Sequence, residues 1–375
     1  MKRKLLIGLL VVLLIVGVAG WLFVQSMGNP MYEPGMVREA QNLRGPLDPP
    51  KQLADESFWQ VENDIRLFYQ AHGTGRAVLV VHGGPGFPDD QPWQALEPLT
   101  SDYRFYYYHQ RGCGRSTKPF DRFESKNFYA NMTELERTLG IGAQVADMER
   151  IRRILAEKKL ILIGHSFGGF LASMYSAEFS ENVEALVLVA PAGVLQLPDP
   201  NGDLFAKVRE RLPAAEREEY DRFLNEELFD FGNIFSKTEA ELAAINRRSG
   251  GYLLKGLGEA PMSTPTAAEP NNGGWMPQAL YLSMGRKHDY RAALSEVRAP
   301  VLILHGEEDD LLLSGSKVYE DSYPNAKLRI VRRDAASKSR AGHFIMNDQS
   351  GQFAQLVGEF LSKVRMGSES IEPAK

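Results

Sequence analysis

Short apolar runs recur along the chain at residues 77–81, 103–108, 160–163, 185–189, 301–304 and 328–331, most of them without a polar interruption. Strands that are apolar throughout are buried on both faces, as in a parallel sheet covered by helices. Between the runs lie amphipathic stretches, such as Val145, Met148, Ile151 and Leu155, which recur at helical spacing. The pattern predicts an α/β fold: a mostly parallel central sheet with helices on both faces, and a ligand site at the C-terminal strand ends.

Three stretches break this rhythm. Residues 194–297 turn helical and charged and then loop-like, ending in GLGEAPMSTPTAAEPNNGGW at 256–275. They are too long for a connection and too polar for sheet core, so they are expected to form an inserted, mainly helical cap over the strand ends. Residues 5–24 are twenty uncharged positions behind Lys2, Arg3 and Lys4. That length and flank predict a transmembrane helix with a cytoplasmic N-terminus and the main domain on the extracytoplasmic side, periplasmic or extracellular. A signal peptide cleaved near Gly17 and Ala19 is the alternative. Residues 29–57 hold Pro30, Pro34, Pro46, Pro49 and Pro50 without a sustained period and read as a linker. The expected organisation is an anchor (1–28), a linker (29–57), a core in two parts (58–193 and 298–365) around the cap (194–297), and a C-terminal tail (366–375).

Composition narrows the chemistry. The 375 residues, 43% hydrophobic and 24% charged, suffice for one large domain with an insertion. A net charge of −5 gives no basic footprint for nucleic acid. The single cysteine, Cys113, excludes an intrachain disulfide and a cysteine metal site. No H-E-x-x-H spacing and no phosphate loop is present. No metal is implied.

Residues 160–169, LILIGHSFGG, run from an apolar strand into glycines around a hydroxyl. Gly164-His165-Ser166-Phe167-Gly168 is a G-x-S-x-G sequence between a strand and an amphipathic helix, the context in which a strained turn exposes a serine nucleophile. The alternative is a serine N-cap on an ordinary helix. A serine needs a base and an acid to orient the base, in chain order serine, acid, histidine. Asp309, in the G-x-x-D that ends VLILHGEEDD, is the candidate acid, with Glu307, Glu308 and Asp310 as rivals, and His343 in RAGHF is the candidate base. His82, His165 and His305 sit in strand-end motifs, where a structural hydrogen bond is expected. The oxyanion requires two donors: the backbone N–H of Phe167 and one from HGGPG at 82–86, where Gly84 is best placed.

The HGGPG at 82–86, QRGCGRS at 110–116, the elbow at Ser166, Gly306-x-x-Asp309 and Gly342-His343 together resemble the proline iminopeptidase branch of the α/β-hydrolase superfamily, over about residues 64–361. The resemblance implies the α/β-hydrolase fold, release of N-terminal residues from short peptides, and no cofactor. It also places Cys113 in a tight loop. An aminopeptidase must pair the substrate's ammonium group with carboxylates. By family pattern Asp310, directly after the acid, and Glu259 and Glu269 in the cap are the candidates. The chain departs from the pattern at His109, where an aspartate is usual, at Phe167, often tryptophan, at Leu311-Leu312-Leu313, and in the basic stretch before His343. Two activities are open: an aminopeptidase of small peptides, or a carboxylic-ester hydrolase of esterase, lipase or lactonase type using the same groups. A catalytically inactive binding protein is the third reading.

Overall fold

The computed structural model describes residues 28–53, 57–260, 271–335 and 339–369. Eight strands form one sheet in the order β1-β2-β4-β3-β5-β6-β9-β10: β1 (Phe58–Glu62), β2 (Ile65–Gly73), β3 (Arg76–Val81), β4 (Tyr103–Tyr108), β5 (Leu160–His165), β6 (Val183–Val189), β9 (Val301–Gly306) and β10 (Ala326–Val331). From β4 to β10 all neighbours are parallel, and β2 is antiparallel to both β1 and β4. The predicted apolar runs all lie in strands. The first hairpin, β1 to β2 around Asn63 and Asp64, lies at the sheet edge, and its mixed polar and aromatic sequence gives no continuous apolar run.

Each central strand divides its side chains between two layers, as a period of two requires. Leu79, Val81, Leu160, Leu162, Leu186, Leu188, Val301 and Ile303 pack with the helices Ile141–Ile154 and Phe167–Glu178. Their neighbours Val78, Val80, Ile161, Ile163, Val187, Leu302 and Leu304 pack on the other face with the C-terminal helix Ser350–Glu369 through Phe353, Val357 and Leu361. Full burial of such a side chain contributes about 1.5–3 kcal/mol, so shifting any strand by one residue would be strongly disfavoured.

Between β6 and β9 the chain is mainly helical. A two-stranded ribbon, β7 (Gln196–Leu197) against β8 (His288–Asp289), ties the ends of this insertion together. Its helices Leu204–Arg211, Ala214–Phe223 and Glu239–Leu257 build a small core of their own from Val208, Leu212, Tyr220, Phe223, Tyr252 and Leu257. Leu311 and Leu312, just after β9, belong to that same core. The later helix Trp275–Met284 instead joins the main core through Trp275, Met276, Ala279, Leu280 and Met284.

The stretch expected to be a linker is partly docked. Tyr32 and Val37 are buried in the main core, and the buried Glu178 carboxylate accepts hydrogen bonds from Tyr32 Oη and from the backbone N–H groups of Gly35, Val37 and Arg38. The expected membrane placement is also corrected. Among the described residues no helix is long and apolar enough to cross a membrane, and residues 5–24, on which a transmembrane helix and an extracytoplasmic catalytic domain rested, lie outside the described residues.

Candidate active site

β5 ends at His165 and the next helix begins at Phe167, so Ser166 alone makes the turn, with φ 52° and ψ −120°. A positive φ at a residue other than glycine costs about 1–3 kcal/mol and persists only where its surroundings impose it. Here the Ser166 N–H donates to the Val189 carbonyl at 2.9 Å, and its own carbonyl accepts from Gly169 and Ala192 at 3.0 Å each. The flanking glycines are required by space. A Cβ at Gly164 would lie 2.5 Å from the Gly168 carbonyl oxygen, and one at Gly168 would run into the carbonyl oxygens of Val81 and His82. The Ser166 side chain makes no cap hydrogen bond to its helix, which is what an ordinary N-cap serine would do.

Contact of the elbow with the end of β3 brings the glycine loop beside the serine. A Cβ at Gly83 would lie 3.0 Å from both Ser166 Cβ and the His165 carbonyl oxygen. Gly84 follows with φ +122°, open to glycine alone without strain. Among the described residues, the backbone N–H groups of Gly84 and Phe167 donate to no other group of the protein. The glycine loop is fixed from behind. His82 Nδ1 donates to the Gly83 carbonyl, and His82 Nε2 accepts from Gln110 N–H at 3.1 Å. Burial holds His82 neutral, with its pKa pushed down to about 3. Cys113 lies in the tight QRGCGRS loop at 110–116, fully buried, its thiol donating to the Gln110 carbonyl, and burial pushes its pKa well above the usual range, so it carries no thiolate.

His343 lies between β10 and the short helix Ile345–Asp348, and its Nδ1–H donates to Asp309 Oδ2 at 2.8 Å in a buried pair. Burial alone would raise the Asp309 pKa. The bond and charge of His343, together with His305 at 3.6 Å, outweigh it and hold the carboxyl below the usual range. His305 positions the acid loop by donating from Nε2 to the Asp309 carbonyl at 2.7 Å, while Nδ1 meets Ser316 Oγ. His165, next to Ser166, donates from Nε2 to the His343 carbonyl at 3.1 Å, and the two rings lie 4.8 Å apart. Serine elbow, glycine loop, acid and histidine therefore meet at the C-terminal ends of β3, β5, β9 and β10.

The amine-binding candidates are arranged differently. Asp310 is exposed and makes a two-point ion pair with Arg211 of the helix Leu204–Arg211, at 2.9 Å for each bond. Glu259 Oε1 accepts the backbone N–H of His343 at 2.8 Å. Glu269 lies outside the described residues. Of the rival acids, Glu308 accepts the Ala341 N–H at 2.7 Å and Glu307 accepts the Arg333 N–H at 2.7 Å, so both carboxylates face backbone and not the His343 ring. The roles of Glu259 and Glu308 carry no local sequence signal, because each partner is more than thirty residues away. Among the described residues no group of three or more His, Cys, Asp or Glu side chains is arranged to hold a metal ion.

Fold and site together define a member of the α/β-hydrolases: residues 76–336 match the alpha/beta hydrolase fold family, and the chain belongs to it. Among its relatives is the proline iminopeptidase of Saccharolobus solfataricus, 22% identical over 310 residues that span 79% of this chain and 88% of that protein. Similar solved structures include the proline iminopeptidase of Mycobacterium smegmatis (17% identity, TM-score 0.53, 82% and 97% of the two chains). The esterase of Exiguobacterium antarcticum is comparably similar in fold (19% identity, TM-score 0.51, 82% and 99%). The expected likeness to proline iminopeptidases is thus borne out at the level of sequence family and fold.

Proposed function

We propose that the protein is a serine hydrolase working through an acyl-enzyme. Ser166 Oγ attacks the acyl carbon of a small substrate while His343 Nε2 takes its proton. Asp309 holds the imidazole by Nδ1 and offsets the charge it gains. The N–H groups of Phe167 and Gly84 receive the oxyanion. His343 then protonates the leaving group, and water attacks the acyl-enzyme by the same route in reverse. The observation that carries this reading is the strained Ser166, free of any capping bond, at the same strand ends as the buried His343–Asp309 pair.

Within that class, the reading is an aminopeptidase of proline iminopeptidase type acting on short peptides, supported by HGGPG, QRGCGRS and the curated relatives. A specific observation favours a second reading, a carboxylic-ester hydrolase: Asp310 and Glu259 already have partners within the protein. Labelling by a fluorophosphonate, lost in Ser166→Ala with its fold intact, tests the class. A prolyl or alanyl amide with a free amine, compared with its N-acetylated form and a short-chain ester, tests the type. A free-amine preference of at least about tenfold, the value of one charged hydrogen bond, supports the aminopeptidase. Equal rates on both amides overturn it in favour of the esterase.

A further inference from the structure

The backbone of the histidine loop is held by three carboxylates from three different elements. Ala341 N–H donates to Glu308, in the loop after β9, and His343 N–H donates to Glu259, just beyond the helix Glu239–Leu257 of the insertion. The Gly342 N–H between them faces Asp348. Burial, and then the neighbouring charge of Glu259, push the Asp348 carboxyl above the usual range. Arg333 and Arg340 answer this group from within the loop, with Arg333 Nη1 4.0 Å from Glu308 Oε1. Arg340 Nη1 donates to the carbonyls of Leu257 and Gly258 and lies 4.0 Å from Glu259 Oε1, while its Nη2 donates to the Glu308 carbonyl at 3.2 Å. Gly258, with φ +70°, turns the helix end so that Glu259 reaches inward, and its N–H closes on Lys255.

We propose that Glu259 is a positioning residue for His343: the insertion fixes the base against the acid and the nucleophile through the backbone of the base. The proposal rests on His343 being the base. The ring is held at Nδ1 by Asp309, the carbonyl by His165 and the backbone N–H by Glu259, so the insertion supplies one of three anchors that fix the residue beside the serine elbow. Removing the Glu259 anchor leaves the His343 backbone held at its carbonyl by His165 alone, and the ring can tilt about the His343–Asp309 bond. Misplacement of a reacting group by about 1 Å costs on the order of 10²-fold in rate. Glu259 is thereby assigned to the turnover of any acyl substrate, charged or not, and not to recognition of an ammonium group.

The test uses an uncharged ester, p-nitrophenyl acetate, with Glu259→Ala, Glu259→Gln and Gly342→Ala in the full chain. A Cβ at Gly342 would collide with Glu259 Oε1, so Gly342→Ala displaces the carboxylate without removing it. Glu259→Ala is expected to lower kcat by about 10- to 100-fold, with KM and melting temperature little changed. Fluorophosphonate labelling is expected to slow in proportion. Glu259→Gln keeps an acceptor oxygen for the His343 N–H and is expected to recover kcat to within about fivefold of wild type. Gly342→Ala is expected to reproduce the loss, and to add little to it in the double variant, because both changes break one contact. If Glu259→Ala and Gly342→Ala hydrolyse the ester at the wild-type rate while His343→Ala is inactive, the positioning role is overturned and the base assignment stands. If His343→Ala itself remains active, base and positioning role fall together. A defect confined to KM for free-amine amides would assign Glu259 to substrate binding and overturn the proposal.

Discussion

Replacing Asp309 by asparagine removes one charge while leaving the shape of the acid loop almost unchanged. The carboxylate lies 2.8 Å from His343 Nδ1 in a pair whose members are 1% and 3% exposed, so water contributes little screening. In the proposed mechanism the imidazole becomes an imidazolium in the transition state. Two unit charges about 4 Å apart at an effective dielectric of 20 attract by about 4 kcal/mol, a thousandfold in rate. Asparagine can also present its NH₂ to Nδ1 and stabilise the wrong tautomer, which adds to the loss. Asp309→Asn is therefore expected to lower kcat on p-nitrophenyl acetate by about 10³- to 10⁴-fold. KM is expected to be little changed, because Asp309 is only 1% exposed and sits behind His343. The parallel variant Glu308→Gln weakens a backbone contact at Ala341 and a long ion pair with Arg333 at 4.0 Å, and is expected to stay within about tenfold of wild type. Steady-state kinetics with active-site titration decides the matter. Asp309→Asn within tenfold of wild type, or Glu308→Gln more damaged than Asp309→Asn, would refute the assignment of the acid.

Other outcomes follow from individual contacts. Burial pushes Glu136 up to about 7 from an ordinary 4.5, so the stability of its folded state is fully present below pH 4.5 and declines as pH rises toward 7. The penalty above pH 7 is roughly 3 kcal/mol, so Glu136→Gln is expected to melt higher than wild type at pH 8 and equal to it near pH 4. Equal melting at both values would show that Glu136 is charged at no such cost. Gly168→Ala drives a methyl group into the carbonyls of Val81 and His82 and is expected to lose about 1–3 kcal/mol of stability along with turnover, read by thermal unfolding and ester hydrolysis. The Arg211–Asp310 pair is exposed, so Asp310→Asn is expected to change stability by less than about 1 kcal/mol. Because that carboxylate is already paired, Asp310→Asn is also expected to leave the ratio of free-amine to N-acetyl amide hydrolysis unchanged.

The inner strands β3, β5, β6 and β9 were readable because they are buried on both faces, and such burial leaves uninterrupted apolar runs; the edge strand β10 buries only Val331, and Arg329 interrupts its run. The serine elbow was readable because a tight turn imposes glycines at fixed offsets from Ser166, and the glycine loop because its backbone must approach closely. The first hairpin was harder to see: β1 and β2 mix buried aromatic residues with polar ones, as expected at a sheet edge. Leu311 and Leu312 illustrate a different difficulty. From sequence they are only a departure from the family pattern beside the acid, and their reason is a hydrophobic core whose other members lie some fifty to a hundred residues earlier. Glu259 could be placed in the insertion from its position in the chain. That its carboxylate meets the His343 backbone depends on a helix ending at Gly258 and on Arg340 bridging the two segments, and neither is written into a local pattern.

The collar around Glu178 bears on where the protein can be cut. Residues 28–38 splint two parts of the body: Met31 and Tyr32 bond to the Ser283 carbonyl near the end of the helix Trp275–Met284, and the next residues wrap the carboxylate that ends the elbow helix. Tyr290 adds a bond from its hydroxyl to the Tyr32 carbonyl. Excising everything before Ser57 would strip four donors from Glu178 and uncover the apolar seat of Tyr32 and Val37, loosening the helix that Ser166 begins. A shortened chain that is to stay folded should therefore be trimmed ahead of residue 28, even though the homologous family begins its match only at residue 76.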